Sequence, residues 1–414
     1  MSKRKKKWTV TAIVVVLCAT VFILMDVFAF STVKIADEKY ANSEITYVRR
    51  EPYELWDRGE LRGLDDAKGE MGFDVRSMDL VRFTLTGQDD LLEEVVYDSY
   101  TKWPEDLPDG FDPDEILELG KDPGLGIRQL HDMGYTGEGV SIAIIDQGLN
   151  PEHKEYAEHL MGYELYHQLG EGASMHGAAV TSIAVGQSCG VAPGADLYYI
   201  ASSFGRITPR GFKPDTNIVA DAIYRVLEIN ELLPNEKKIR VISISKGFKG
   251  TLGGIRVKAA IDKATEQGIF VVTTSTDENY DFTLMGLGRG FLDDPNAVDS
   301  YVPGKFWEDT FYGKSQWSKS GMRLLVPMDS RTYASFTSAD GYEFCSVGGL
   351  SWAVPWLSGL YALCVQKKPN ITPNEFIEKA FETGTDKTIV HNGREYTLGT
   401  IVDPVKLIES LYQH

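Results

Sequence analysis

An aspartate, a histidine and a serine stand far apart in this chain, each in a local sequence that fits a reactive role. Asp146 lies in SIAIIDQG (residues 141–148), His176 in MHGAAV (175–180) and Ser351 in GGLSWAVP (348–355). A carboxylate, an imidazole and a hydroxyl are the parts of nucleophilic catalysis by serine. Histidine is the natural general base at neutral pH, because its unperturbed pKa is about 6.5. Asp146 follows the apolar residues Ile142 to Ile145 and precedes Gly148. A carboxylate at the carboxyl end of a buried parallel strand points into the crevice where such sheets bind ligands. Ser351 follows Gly348, Gly349 and Leu350 and opens an apolar helix, whose free N–H groups and positive dipole end suit a developing oxyanion. Pro355 is expected in or near the first turn, where its missing N–H is tolerated. Taken singly, each residue also has a plainer role: a turn aspartate, a hydrogen-bonded structural histidine, a serine N-cap. Together, in these settings, they point to catalysis.

The elements that must position them are legible as alternating strands and helices. VSIAIID (140–146), ADLYYIAS (195–202), IRVISIS (239–245) and IFVVTTS (269–275) are nearly continuous apolar runs, as expected of strands covered on both faces. Between them HGAAVTSIAVG, 217–232, 254–267 and 351–365 fit helices, with Ile218, Ala222, Val226 and Ile229 on one side of the second. This β-α-β alternation predicts a parallel sheet between helix layers. The stretch 276–345, rich in Gly, Pro, Asp and aromatic residues, is expected as an insertion at one rim. Asn392-Gly393 marks a hairpin turn. Ahead of all this, residues 31–120 are expected as an accessory or pro-region. They contain a strand-like stretch at 80–87, an extended Pro/Asp-rich linker at 103–114 and a short helix capped by Asp112.

The chain has 414 residues and a formal net charge of -18. Residues 1–30 carry five cations and one acid, leaving 37 Lys+Arg against 59 Asp+Glu beyond them. That surface disfavours nucleic acid as a partner, since phosphate contacts need cations. Residues 8–25 hold no charge and follow the cluster Lys3 to Lys7. They are expected to form an uncleaved signal-anchor, with residue 31 onward on the outer side of a membrane. Cys18 falls in that run. Cys189, Cys345 and Cys364 are too few for a disulfide scaffold, and no Cys/His spacing suggests zinc.

The motifs resemble those of subtilisin-like serine proteases, the subtilases, over about residues 121–382. Asp146-Gln147-Gly148 resembles the family's Asp-x-Gly, His176-Gly177 its His-Gly helix start, and Gly349-Leu350-Ser351-Trp352-Ala353-Val354-Pro355 its Gly-Thr-Ser-Met-Ala-x-Pro. GVAPGADLYYI (190–200) and VISISKG (241–247) resemble two further family segments. The resemblance implies an α/β fold, a subtilisin-like three-layer sandwich with a mostly parallel sheet between helices, spanning 121–414. It implies hydrolysis of peptide bonds in a polypeptide substrate. Ser351 would be the nucleophile, His176 the base and Asp146 its orienting partner, with Ser245, Lys246 and Gly247 along the substrate backbone. No cofactor is required. Calcium, which many members use, would have acidic loops at Asp277, Glu278 and Asp281 or at Asp293 and Asp294.

Several positions depart from the family pattern. Ala179 stands where a second histidine is usual, and Leu350 and Trp352 replace Thr and Met around the serine. The oxyanion asparagine is missing: in TTSTDEN, Thr276 falls nearest its place and Asn279 lies three residues on. Losing one such donor typically costs ~10²–10³ in kcat. The alternative to a protease is therefore a catalytically impaired homologue that binds peptides or regulates. A lipase-type hydrolase fits poorly, since Ala353 stands where G-x-S-x-G needs its last glycine and the order of the three residues differs.

Overall fold

A computed structural model describes residues 58–69, 72–169, 172–251, 253–313 and 322–411. The expected anchor at 8–25 and the segment 31–57 lie outside them. Among the described residues no helix is long and apolar enough to cross a membrane.

Ser141–Asp146 is buried at every position because both of its faces are covered. Ile142 and Ile144 pack into one apolar cluster with the helices Met175–Val185 and Leu350–Lys367. Ala143 and Ile145 pack into a second cluster with the helices Thr216–Leu232 and Gly254–Glu266. Alternate side chains thus feed opposite layers, which is why the strand reads as an unbroken apolar run. It is the central strand of a five-stranded parallel sheet, in the order Phe270–Thr273, Ile239–Ile244, Ser141–Asp146, Asp196–Ala201, Leu160–Leu165. The result is the three-layer α/β sandwich expected from the sequence.

A second sheet has the order Val302–Pro303, Thr283–Gly288, Arg323–Pro327, Arg394–Ile401, Thr385–His391, with its middle three strands parallel. The stretch 276–345 is therefore no rim insertion. Its strands Thr283–Gly288 and Arg323–Pro327 carry Leu284, Leu287, Leu324 and Leu325 in the main apolar cluster. Glycine and proline between these short strands masked their apolar runs. The expected hairpin is present, turning at Asn392 and Gly393 with φ of 50° and 74°.

The described part of the N-terminal segment pairs with a strand from the C-terminal part of the chain. Val95–Asp98 lies between Gly72–Asp74 and Tyr342–Cys345 in a third sheet. A buried ion pair, Arg76 to Glu343 at 2.8 Å, crosses the same seam. Asp112 caps the helix Pro113–Leu119, accepting from the backbone N–H groups of Asp114 and Glu115. The preceding stretch is not a free linker, because Trp103 packs edge-on against Tyr97 and Phe111. Residues 80–87 form turns rather than the expected strand. The Phe83 N–H closes back onto the Leu80 carbonyl, so Leu80 and Leu85 reach the core without a ladder.

Candidate active site

Asp146 ends the central strand fully buried, and His176 opens a helix whose start is pressed against that strand end. The join is built from small and polar residues. Ser174 caps the helix, its Oγ accepting from the His176 N–H, while its own N–H donates to the Gly148 carbonyl at 2.7 Å. The Ser174 hydroxyl also donates to Gln147 Oε1 at 2.6 Å. Gly177 is required here by close approach: a Cβ would lie 2.7 Å from both the Gln147 carbonyl oxygen and the Tyr199 hydroxyl. With the elements so held, His176 Nδ1 lies 2.7 Å from Asp146 Oδ1. The carboxylate only accepts, so Nδ1 is the donor and Nε2 is left as the basic nitrogen. Burial disfavours the imidazolium, and Lys246 adds repulsion. The charge and hydrogen bond of Asp146 outweigh both, so the His176 pKa is raised above its ordinary 6.5. Gln147 and Ser174 were not singled out in the sequence; Ser174, two residues before the histidine, carried a recognisable N-cap signal.

Ser351 is the second residue of the helix Leu350–Lys367. Pro355 lies inside that helix rather than in its first turn, so the Ser351 carbonyl lacks the N–H donor four residues on. Ser245 makes up the loss: its Oγ donates to the Ser351 carbonyl at 2.8 Å. In return the Ser351 Oγ donates to the Ser245 carbonyl at 3.4 Å. Among the described residues Ser351 makes no hydrogen bond to His176. The link between them is Trp352, whose ring meets the imidazole edge-on with centroids 5.7 Å apart. The structure thus joins Asp146 to His176 directly and ties Ser351 to Ser245. Lys246 continues past the strand Ile239–Ile244, with its ammonium 5.4 Å from the centre of the Phe204 ring and its carbonyl accepting from the Thr274 N–H at 3.3 Å. Gly247 packs against Ser275 and Thr274. Beside His176 opens a cleft of about 480 Å³, lined by Met175, Phe306, Gly348 and Trp352, with Glu94 from the N-terminal segment.

The Subtilase family profile matches residues 137–399, which contain all of these residues but Glu94. The chain belongs to the subtilase family. Serine protease AprX of Bacillus subtilis is 25% identical over 306 residues, covering 64% of this chain and 65% of that protein. An extracellular serine proteinase of a Thermus species is 24% identical over 264 residues, covering 63% of this chain and 58% of that protein. The chain thus spans about three fifths of the length of these two relatives. Subtilisin DY of Bacillus licheniformis is 25% identical over 261 residues, covering 61% of this chain and 86% of that protein.

In this subtilase the two side chains nearest the missing oxyanion asparagine are differently disposed. Thr276 is 1% exposed, and its hydroxyl is spent: it donates to the Phe282 carbonyl and accepts from the Leu284 N–H, both at 2.9 Å. Thr276 is therefore no oxyanion donor as it stands. Asn279 follows a single 3₁₀ turn, and its Oδ1 is buried without a hydrogen-bond partner. Three carboxylates of the acidic loops are engaged within the chain. Asp277 pairs with Lys249 at 2.7 Å, Asp293 accepts from the Gly290 N–H, and Asp294 accepts from the Asn296 N–H. Among the described residues no three His, Cys, Asp or Glu side chains converge on a metal site.

Proposed function

We propose that this subtilase is a serine endopeptidase acting on polypeptides. Ser351 Oγ attacks the scissile carbonyl while His176 Nε2 takes its proton. The same proton then passes to the leaving amine, and water repeats the sequence to release the acyl group. Asp146 holds the imidazole in the productive tautomer and stabilises its cationic form. The observation that carries this reading is the 2.7 Å contact between His176 Nδ1 and buried Asp146, at the carboxyl end of the central strand, beside the helix whose second residue is Ser351. In this reading Ser351 Oγ gives up its long bond to the Ser245 carbonyl and donates to His176 Nε2 instead. The oxyanion donor is the backbone N–H of Ser351 itself, in the unpaired first turn of its helix. Ser245, Lys246 and Gly247 lie along the substrate backbone, with Lys246 the nearby cation. The charge-free run at 8–25 anchors the chain, with the catalytic domain outside the membrane; externally added protease digesting the chain in intact cells tests that orientation.

The chemistry is tested by a fluorophosphonate probe on the purified chain. Labelling that disappears in Ser351→Ala and His176→Ala supports catalysis. A folded chain that never labels sinks it. It would favour instead a peptide-binding homologue, the reading supported by the Ser351–Ser245 bond and the engaged Thr276 hydroxyl.

A further inference from the structure

The cleft beside His176 has two walls from distant parts of the chain, and one buried carboxylate touches both. One wall is the run through Gly348 that leads into the Ser351 helix; the other is Phe306, on the helix Lys305–Gly313. Asp329 is 5% exposed. Its Oδ1 accepts the Gly348 backbone N–H and its Oδ2 the Lys305 backbone N–H, each at 2.8 Å. The turn that carries Asp329 is itself fixed. Ser330 sits at φ 53°, its N–H bonded to the Ser346 carbonyl at 2.9 Å and its hydroxyl to the Arg289 carbonyl at 2.8 Å. The Met328 carbonyl lies so close to Gly348 that any side chain there would collide with it.

We propose that Asp329 is a positioning residue: it sets the spacing of the two cleft walls and, through Gly348, the approach of the turn that delivers Ser351. The proposal rests on Ser351 acting as the nucleophile. Gly348 is three residues from Ser351, and a misplacement of about 1 Å at a reacting group can cost ~10²-fold in rate. Only the ionised carboxylate accepts at both oxygens without conflict; on protonation one oxygen can carry a hydrogen toward an N–H donor. Burial pushes the Asp329 carboxyl up to about 7, against the pull of the two backbone bonds and of Lys305, with Glu308 adding to the rise. The buried Cys345 thiol is a further titratable neighbour. The clamp is completed as the pH rises through that range.

The test is the rate of fluorophosphonate labelling across pH in the full chain, in Asp329→Asn and in Lys305→Pro. Amide hydrogen exchange over residues 303–313 and 346–353 is read alongside it. Asparagine keeps the shape but turns one acceptor into a donor. In D329N, exchange rises at both Lys305 and Gly348, and labelling at alkaline pH falls about 10- to 100-fold. Its acid limb differs from that of the unsubstituted chain, because one titrating group has been removed. Proline is tolerated at a first helical position, so K305P removes one donor and leaves the carboxylate in place. Its acid limb moves to higher pH, because the charged form has lost a bond. Unchanged exchange at Gly348 in D329N, or an acid limb in D329N identical to that of the unsubstituted chain, overturns the proposal. Should D329N not fold, K305P decides, and a limb identical to that of the unsubstituted chain overturns it. A chain that never labels refutes the nucleophile instead, and the exchange data alone then decide the clamp.

Discussion

The two halves of this site are built differently. The Asp146–His176 half is one direct bond between neighbouring elements, a strand end and a helix start locked by Gln147, Ser174 and the missing side chain of Gly177. The Ser351 half is assembled from segments far apart in the chain. Ser245 answers a carbonyl orphaned by Pro355, and Asp329 holds Gly348. Thr276 is turned inward. In the proposed mechanism the acid–base pair is therefore preorganised, while the nucleophile depends on contacts that can be loosened one at a time. Substitutions in the first half should abolish chemistry outright, and those in the second should grade it.

The largest effect separating the halves is expected from Asp146→Asn. It keeps the shape but removes the charge and permits the wrong imidazole tautomer, and a loss of ~10⁴-fold in the labelling or hydrolysis rate is expected. The acid limb should report the same change. His176 owes its raised pKa to Asp146, so without the carboxylate burial dominates and the midpoint drops below the ordinary value of 6.5. The imidazolium–carboxylate pair contributes its full stability below the ordinary histidine pKa and loses it as the pH rises through the raised folded value. Activity and this stabilisation thus change in opposite directions over one pH range. A midpoint unmoved in D146N would show that the first half is not the preorganised one.

Ser245→Ala acts on the second half and should be graded. It leaves the Ser351 carbonyl beside Pro355 without its hydroxyl donor, at a cost of about 1 kcal/mol in stability. As the first turn of the nucleophile helix loosens, the rate should fall by about 10-fold. Urea unfolding and labelling kinetics on the same preparation separate the two. A rate loss as large as that of D146N would erase the distinction between the halves.

The same division explains what the sequence could and could not reveal. Asp146, His176 and Ser351 were legible because each sits in a short motif that also fixes its own secondary structure. Four strands of the central parallel sheet were legible because both faces are covered, so their runs are nearly continuously apolar; the edge strand Leu160–Leu165, broken by Gly162 and Glu164, was not. The strands at 283–288 and 323–327 were hidden by flanking glycine and proline. Residues 80–87 imitate a strand because Leu80 and Leu85 reach the core from turns. Asp329 and the Ser245–Ser351 exchange involve partners 19 and 106 residues away, which no local pattern encodes. Pro355 is the instructive case, since its local reading as a tolerated first-turn proline concealed that it creates the need for Ser245.

The smallest effect on rate is expected from Thr276→Val. By sequence Thr276 occupies the place of the oxyanion donor, so a catalytic role would make this substitution costly, at ~10²–10³-fold. In the structure its hydroxyl is buried and bridges the Phe282 carbonyl and the Leu284 N–H. Valine matches its shape but removes the acceptor of a buried N–H, so stability should fall by about 1–3 kcal/mol while the labelling rate holds. Thermal unfolding and labelling of T276V therefore move apart if the oxyanion is bound by the Ser351 turn, and together if Thr276 swings outward to bind it.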